Sequence, residues 1–438
     1  MERQDQLVLS THGDGRNLVF DFPNLHIGTA EYPQGPTGAT VFWFPKKAVA
    51  AVDVRGGAPG SYNLDWFRQG YDFPSLDAIV VSGGSWYGLG TAAGVSAALK
   101  DRSHRSGHWS NLATVAGAII YDFGTRRLTP YHPDERLGRA ALEAAVPGVF
   151  PLGARGAGRN AMQGSYFGLW LHSGQGGAFQ QVGTTKIAAF SIVNSVGAVV
   201  DRMNNVATGG QWVPEDSRRI GDLINLVPGS IRSQAGSILG LRQGHGNPAN
   251  TTISAVITNQ KLTYAELQRL AVQVHTSMGR MIQPLATAND GDILFAVSTG
   301  EEEASSLHPT DLGVVASEVM WSAVLNSVPD LDVVFEDTAE PLKDEDLRGR
   351  FQFAPDISLD VNARDNRVEF TPQANRELFG IEPGVTVQAK RRTGNTFAID
   401  QMFLHAFRFE RNVAGEVTLI LNPGQWQQVG TRVSGSST

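Results

Sequence analysis

Apolar positions in the first 330 residues follow two interleaved rhythms. Short runs of Val, Ile, Phe and Ala with few charges recur at Ala39–Phe44, Ala48–Val54, Ala78–Ser82, Val115–Tyr121, Ile187–Val193, Val196–Asp201, Ile253–Thr258 and Ile293–Ser298. Runs of this length and composition predict buried strands. Between them, helices are predicted over Tyr87–Lys100, Asp134–Ala145, Tyr264–Ile282 and Asp311–Asn326. The third has the clearest start: Thr263 and Glu266 form a capping-box pair. Leu267, Leu270, Ala271, Val274, Met278 and Met281 then line one face. Strands and helices in mixed order predict layered α/β or α+β packing.

Two stretches depart from this pattern. Residues 203–248, punctuated by Gly209-Gly210, Pro214, Gly236, Gly240, Gly244, Gly246 and Pro248, read as a long segment without regular structure. Such a segment inside a compact domain tends to be functional or disordered. Beyond Pro329 the chain becomes acidic and polar, with Pro341-Leu342-Lys343-Asp344-Glu345-Asp346, and 28 of the 79 charged residues lie in 331–438. This predicts a domain over 1–330, a linker over 331–350 and a further domain over 351–438. In the last, Arg367–Thr371, Val385–Arg392, Gln401–Glu410 and Val417–Leu421 alternate apolar and polar residues. Thr393-Gly394-Asn395 and Ala414-Gly415 supply turns between them. An all-β tail follows.

Composition narrows the chemistry. The formal net charge of −7 argues against general nucleic-acid binding. The chain has no cysteine, which excludes disulfides, a thiol nucleophile and thiolate metal sites. The first residues lack a basic-then-apolar signal pattern, and no apolar run is long enough to span a bilayer. A cytoplasmic location without membrane contact is the expectation. There is no P-loop, His-Glu-x-x-His or EF-hand pattern. His104 and His108 sit in an Arg-rich polar stretch that does not read as a metal site, and Gly153–Gly158 lacks the clear preceding strand of a dinucleotide fingerprint. No metal or cofactor is expected, and hydroxyl chemistry remains the main catalytic option.

One junction offers it. Gly246-Asn247-Pro248-Ala249-Asn250 is polar and turn-rich, and Thr251-Thr252-Ile253-Ser254-Ala255-Val256 opens a buried-looking strand. This is the layout of a self-cleaving hydrolase. Thr251 would attack the preceding carbonyl, and scission would free an α-amine to act as base for its own hydroxyl. The ordinary α-amine pKa of about 8 suits that role near neutral pH. An ordinary loop-to-strand junction has the same appearance, and so does a glycosylation sequon at Asn250-Thr251-Thr252.

Motifs in a fixed order along residues 15–328 carry a resemblance. They include Phe20-Asp21-Phe22-Pro23, Gly35-Pro36-Thr37-Gly38-Ala39-Thr40-Val41, Asp53-Val54-Arg55-Gly56-Gly57-Ala58 and Gly83-Gly84-Ser85-Trp86-Tyr87-Gly88-Leu89. Ile120-Tyr121-Asp122-Phe123, Gly174-Gln175-Gly176, Asn194-Ser195-Val196-Gly197, Asn250-Thr251-Thr252-Ile253, Asp290-Gly291-Asp292 and Glu318-Val319-Met320-Trp321 continue the series. In these the chain resembles the nylon-oligomer hydrolases, which belong to the self-processing N-terminal-nucleophile aminopeptidases together with D-amino-acid amidases and β-aminopeptidases. The resemblance implies an α+β fold, a four-layer αββα sandwich, followed here by the small C-terminal β domain. It implies autocleavage between Asn250 and Thr251, amide hydrolysis through an acyl-threonine, no cofactor, and a homotetramer of processed protomers. By position, Thr251 matches the nucleophile and Asn194 the oxyanion-stabilising amide. Asp290 and Asp292 match carboxylates near the nucleophile, one or both of which orient the Thr251 amine or hydroxyl. Tyr121 matches a tyrosine that hydrogen-bonds nucleophile or substrate. Substrates would be 6-aminohexanoate oligomers or related polyamides.

The tail lies outside this pattern, and Phe407-Arg408-Phe409-Glu410-Arg411 with Gly415-Glu416-Val417-Thr418-Leu419 resembles the small β-barrel modules that follow some serine hydrolases. One feature of the family is missing. Its nylon-oligomer hydrolases carry a site lysine between the Tyr121 and Gly174 blocks, whereas Ala161–Gly168 here holds none and Lys186 lies beyond the aligned glycines. Three alternatives therefore stand beside the hydrolase: an aminopeptidase on D- or β-amino-acid peptides, an acyltransferase of the same fold, and a non-catalytic scaffold or binding protein.

Overall fold

The computed structural model describes residues 3–11, 15–70, 75–102, 107–211, 213–233, 250–303, 307–330, 337, 339–401, 403–424 and 426–433. A hydrogen-bonded sheet runs through Gln175–Val182, Thr185–Asn194, Thr251–Gln260, Ile293–Glu302, Thr37–Val54, Ser75–Ser82 and Val115–Ile119. The strand His26–Tyr32 joins it on Thr37–Val54. Two neighbouring pairs are parallel, Thr251–Gln260 with Ile293–Glu302 and Ser75–Ser82 with Val115–Ile119.

Thr37–Val54 folds this sheet into two layers. Its first half pairs with His26–Tyr32 and Ser75–Ser82, and Val49–Val54 pairs with Ile293–Ser298. The register shifts between Trp43 and Ala48, where Lys47 takes a positive φ of 58°. Pro45-Lys46-Lys47 thus reads as the end of one strand and the start of another, yet the backbone continues as a single bent strand.

The two-residue period of a strand sends neighbouring side chains to opposite faces, and the layers follow from it. Phe42, Ile79, Phe190, Ala255 and Phe295 meet in the core between the sheet layers. Their chain neighbours Ala189, Val256 and Leu294 pack outward against Leu267, Leu270, Val274, Met320 and Val324 of the helices Tyr264–Ser277 and Pro309–Asn326. On the other side Val41, Val80 and Val115 meet Val95, Leu137 and Ala141, from the helices Gly90–Arg102 and Glu135–Glu143 and the strands beneath them. Helix, sheet, sheet and helix make the expected αββα sandwich. The capping box at Thr263 and Glu266 forms as read.

Three segments differ from expectation. Val196–Asp201 contributes only Ala198–Val199 as strand, because Gly197 lies hard against the Gln283-Pro284 backbone and turns the chain. Part of the stretch from residue 203 is regular: a short 3-10 turn at Glu215–Ser217 leads into the helix Ile220–Ser233. Residues 234–249 of the same stretch lie outside the described residues. Tyr264–Ile282 ends as α-helix at Ser277 and tightens into a 3-10 turn over Met278–Arg280.

The tail closes into an eight-stranded antiparallel barrel from Gly349–Ala354 to Gln428–Arg432. Phe351, Phe397, Phe407 and Phe409 form an aromatic core inside it, with centroid separations of 5.3–5.8 Å. Gln401–Glu410, read as one strand, is the single strand Leu404–Arg411; Gln401 ends the strand before it, Thr396–Gln401.

The barrel packs on the sandwich. Leu128 and Met162 belong to its hydrophobic cluster. Trp170 meets Phe403 edge-on, and His172 lies against His405 and Trp426 at 4.8 and 4.0 Å. Burial pushes His405 down to about 4 and His172 well below its ordinary range, with Arg126 and His405 adding to the second shift. Both rings are therefore neutral when folded and chargeable when unfolded. This contact is fully present above the unfolded histidine range near pH 6.5 and is lost as pH falls towards 4. His405 alone contributes on the order of 3 kcal/mol to that loss. Chemical denaturation at pH 7 and pH 5 should show a steeper fall in stability for the wild type than for His405→Phe.

Candidate active site

Thr251 opens a strand that is buried along its whole length, at the end of an antiparallel ladder in which it stands opposite Asn194. Both residues are buried. The Thr251 hydroxyl donates to the Asn250 carbonyl oxygen, and the Gly291 N–H donates to the same oxygen at 3.0 Å. The Asn250 side chain donates to Ser165 Oγ at 2.8 Å. The Asn250–Thr251 peptide is therefore held from both sides, with a nucleophilic oxygen and a backbone donor on one carbonyl.

Gly291 is closely fitted against Thr251. A Cβ at this position would stand 2.7 Å from Thr251 Oγ1 and 3.0 Å from the Ala58 carbonyl oxygen. The loop around it is pinned by the chain beyond Val54. Arg55 and Gly56 donate to the Asp292 carbonyl, Gly57 to Thr287 and Ala58 to Asp290, at 2.8–3.2 Å. Gly56 has no room for a side chain against Asp290–Asp292. The Asp53-Val54-Arg55-Gly56-Gly57-Ala58 motif thus acts through backbone contact with the aspartate loop.

The two aspartates have different partners. Asp292 accepts from the Thr252 N–H at 2.8 Å and the Ala286 N–H at 2.7 Å. Asp290 accepts from Thr287 Oγ1 at 3.5 Å through one oxygen, and its other oxygen is buried without a hydrogen bond. Neither accepts the Thr251 hydroxyl, which turns to Asn250 instead. Burial raises both carboxyls above their ordinary range. For Asp290, raised well above it, the Asp292 charge adds to burial. A buried His275 beside Asp53 lends a smaller opposing influence on Asp292.

Asn194 donates through Nδ2 to the Tyr121 carbonyl at 3.0 Å. Its oxygen accepts from Arg126 Nη2 at 3.2 Å and from the Met162 N–H at 3.1 Å. Arg126 also donates to the Tyr121 carbonyl at 2.7 Å. Tyr121 joins this group through its backbone, while its ring stands edge-on to Phe123 at 6.1 Å. Its carbonyl meets Asn194 where the strand Val115–Ile119 has ended and the chain is turning. Asp122 fixes that turn by accepting from Thr37 and the Gly84 N–H, both at 2.8 Å, and by pairing with Arg127 at 3.1 Å. Lys186, set aside in the sequence, is remote from this group and pairs with Asp21.

Arg126 is the residue that pattern reading missed. Burial pushes its guanidinium down to about 10, so it stays charged at neutral pH. The only sequence signal is its place: two arginines directly after Tyr121-Asp122-Phe123-Gly124-Thr125. Among the described residues, no group of three His, Cys, Asp or Glu is placed to hold a metal. A hydroxyl beside a peptide carbonyl, amide donors, a buried guanidinium and two basic carboxylates are the equipment of acyl transfer.

Comparison with known proteins agrees with this chemistry. The model of Peptidase family S58 matches residues 17–343. A 6-aminohexanoate-oligomer endohydrolase of Paenarthrobacter ureafaciens is 43% identical over 330 residues, 72% of this chain and 86% of that protein. An uncharacterized aminopeptidase of Mycobacterium leprae is 33% identical over 315 residues, 66% of this chain and 82% of that one. Among solved structures, a β-aminopeptidase of Burkholderia sp. shares the fold with a TM-score of 0.51 at 17% identity, covering 75% of this chain and 91% of that one. The site and these relatives define an amide-bond hydrolase built on an αββα sandwich. The chain belongs to Peptidase family S58.

The Gly291 contact gives a direct test of the geometry. Gly291→Ala should cut the amide-hydrolysis rate by about 100-fold or more, since misplacing a reacting group by about 1 Å costs that much. Circular dichroism should report an intact fold. Near-normal turnover would show that Thr251 does not work in the position seen.

Proposed function

We propose that this chain is an autoprocessing N-terminal-threonine amidohydrolase acting on 6-aminohexanoate oligomers and related polyamides. The observation that carries the reading is the Asn250 carbonyl, held by the Thr251 hydroxyl on one side and the Gly291 N–H on the other. In maturation Thr251 Oγ1 attacks the Asn250 carbonyl carbon and passes its proton to a nearby carboxylate. Asp290 suits this task, because its raised basicity strengthens it as an acceptor. The C–N bond breaks as the amine takes a proton. Water then hydrolyses the resulting ester, leaving an Asn250 carboxylate and a free Thr251 amine.

The same hydroxyl then serves catalysis. The Thr251 amine takes its proton, Oγ1 bonds to the substrate carbonyl, and the proton returns to the departing amine. Asn194 Nδ2 and the Gly291 N–H, free of its former carbonyl, hold the oxyanion. Water attacks the acyl-threonine and releases the carboxylic product. Asp292 holds the Thr252 N–H, so it fixes the nucleophile's backbone and leaves Asp290 as the proton-handling carboxylate. The substrate class rests on the 43% identical endohydrolase. Its name is the reason to place oligoamides ahead of peptides. A cytoplasmic homotetramer of cleaved protomers completes the proposal.

The purified protein should run on a denaturing gel as pieces of about 27 and about 20 kDa, from a 47.1 kDa chain cut after residue 250. Edman sequencing of the smaller should begin Thr251-Thr252-Ile253-Ser254. Thr251→Ala should give a single intact band. An uncut wild type without amide hydrolysis would sink the reading and favour a scaffold. Asn194→Ala should lower kcat by about 100-fold or more, the usual loss for an oxyanion donor.

A second reading, an aminopeptidase on D- or β-amino-acid peptides, draws on the 33% identical mycobacterial aminopeptidase. A panel of D- and β-aminoacyl anilides against 6-aminohexanoate oligomers separates the two.

A further inference from the structure

Four consecutive residues of the sandwich, Thr125 to Leu128, are gripped by the barrel. The Phe379 N–H donates to the Thr125 carbonyl at 3.0 Å. Gln428 Nε2 donates to the Arg126 carbonyl at 3.0 Å, and Gln428 Oε1 accepts from the Leu128 N–H at 2.9 Å. Arg376 Nη2 donates to the Arg127 carbonyl at 2.7 Å. Gln428 is buried, so its two bonds form out of contact with solvent.

The second donor to Asn194 is held from the same side. Met162 packs into the barrel's hydrophobic cluster and pairs in register with His172, on which Trp426 and His405 rest. Both groups that donate to the Asn194 oxygen, the Arg126 guanidinium and the Met162 N–H, are thus backed by barrel residues. An amide oxygen facing two donors cannot exchange places with its NH₂, since the flip would set N–H against N–H. The side chain is locked with its donor nitrogen on the Tyr121 side. A buried positive charge on its oxygen also draws electron density from the amide and strengthens the N–H as a donor.

We propose that the C-terminal barrel is a working part of the active site, and that through Gln428 it sets Arg126 as a positioning residue that orients and polarises Asn194. The inference rests on the reading of Asn194 as the oxyanion donor. It makes the barrel a wall that the catalytic group leans on.

The test uses the full-length chain, with rates normalised to the fraction of molecules bearing a free Thr251 N-terminus, measured by intact mass. Arg126→Gln should lower kcat on a 6-aminohexanoate oligomer by about 100-fold, with KM within about threefold, as expected for loss of transition-state geometry. Arg126→Lys, which keeps the charge and loses the fork, should recover part of that. Gln428→Ala should lower kcat about 10-fold in the same pattern. Arg350→Ala, which breaks an exposed ion pair with Asp360 on the barrel surface, should leave kcat unchanged. If Arg126→Gln does not fold, Arg126→Lys and Gln428→Ala decide. The inference is overturned if Gln428→Ala lowers only thermal stability and keeps kcat per processed site within twofold, or if the Arg126 variants turn over normally. An uncut, inactive wild type overturns the functional reading instead, so the two failures are distinct.

Discussion

The register between Thr185–Asn194 and Thr251–Gln260 is the constraint on which the rest of the molecule depends. It sets Asn194 opposite Thr251 at the last rung of an antiparallel ladder. A shift of one residue would turn every side chain of the strand to the other face. Ile253 and Ala255 would leave the inter-sheet core for the helix layer, and Thr251 would lose its place beside Gly291. Core packing and site geometry are therefore specified by the same alternation. The parallel partner Ile293–Glu302 extends the argument, because its pairing with Ile253–Thr258 begins one residue after Asp292. Once the sheet forms, the aspartate loop has little choice of position.

Burying polar groups at this strand end is expensive, and the structure shows where the cost is met. Asp292 receives two backbone N–H bonds, and Asp122 receives two hydrogen bonds and the Arg127 charge. Glu31 holds Arg159 at 3.1 Å and the Gly156 N–H at 2.7 Å. These are scaffold pairs; breaking one would strand a buried charge. Asp290 stands apart, with one oxygen unpartnered. Burial and the neighbouring Asp292 charge outweigh the opposing hydrogen bonds from the Val196 backbone and Thr287, which makes Asp290 a stronger base than an ordinary carboxylate.

How much of this could be read from the chain depends on whether the signal is local. The helix Tyr264–Ser277 announces itself by its cap and stripe, and Thr251 by a polar run meeting an apolar one. The bend in Thr37–Val54 does not, because Pro45-Lys46-Lys47 has the composition of a turn and only the sheet keeps it extended. The helix Ile220–Ser233 was hidden by Pro228-Gly229 within its span. Tyr121 lies in a legible motif, but which of its atoms reaches Asn194 is decided by a backbone turn that Asp122 builds with residues 37 and 84. Arg126 and Gln428 were illegible for a stronger reason. Charged and amide side chains are usually solvated, and these are buried by contacts remote in sequence: Arg126 against Asn194 and Gln428 against the 126–128 segment of the sandwich.

That separation bears on what a barrel is doing beside a hydrolase site. A module attached only by packing needs an apolar patch and little else, and Leu128, Met162 and Trp170 already supply one. The junction instead includes directional bonds to three consecutive backbone carbonyls, Thr125, Arg126 and Arg127. Bonds of this kind contribute only about 1 kcal/mol each to stability, but they restrict orientation far more than apolar contact does. The segment they restrict carries the guanidinium that faces Asn194. On the proposed role of Asn194, precision on its side of the site is worth more to rate than the same bonds are worth to folding, and that difference would account for polar contacts where apolar ones would have held the two parts together.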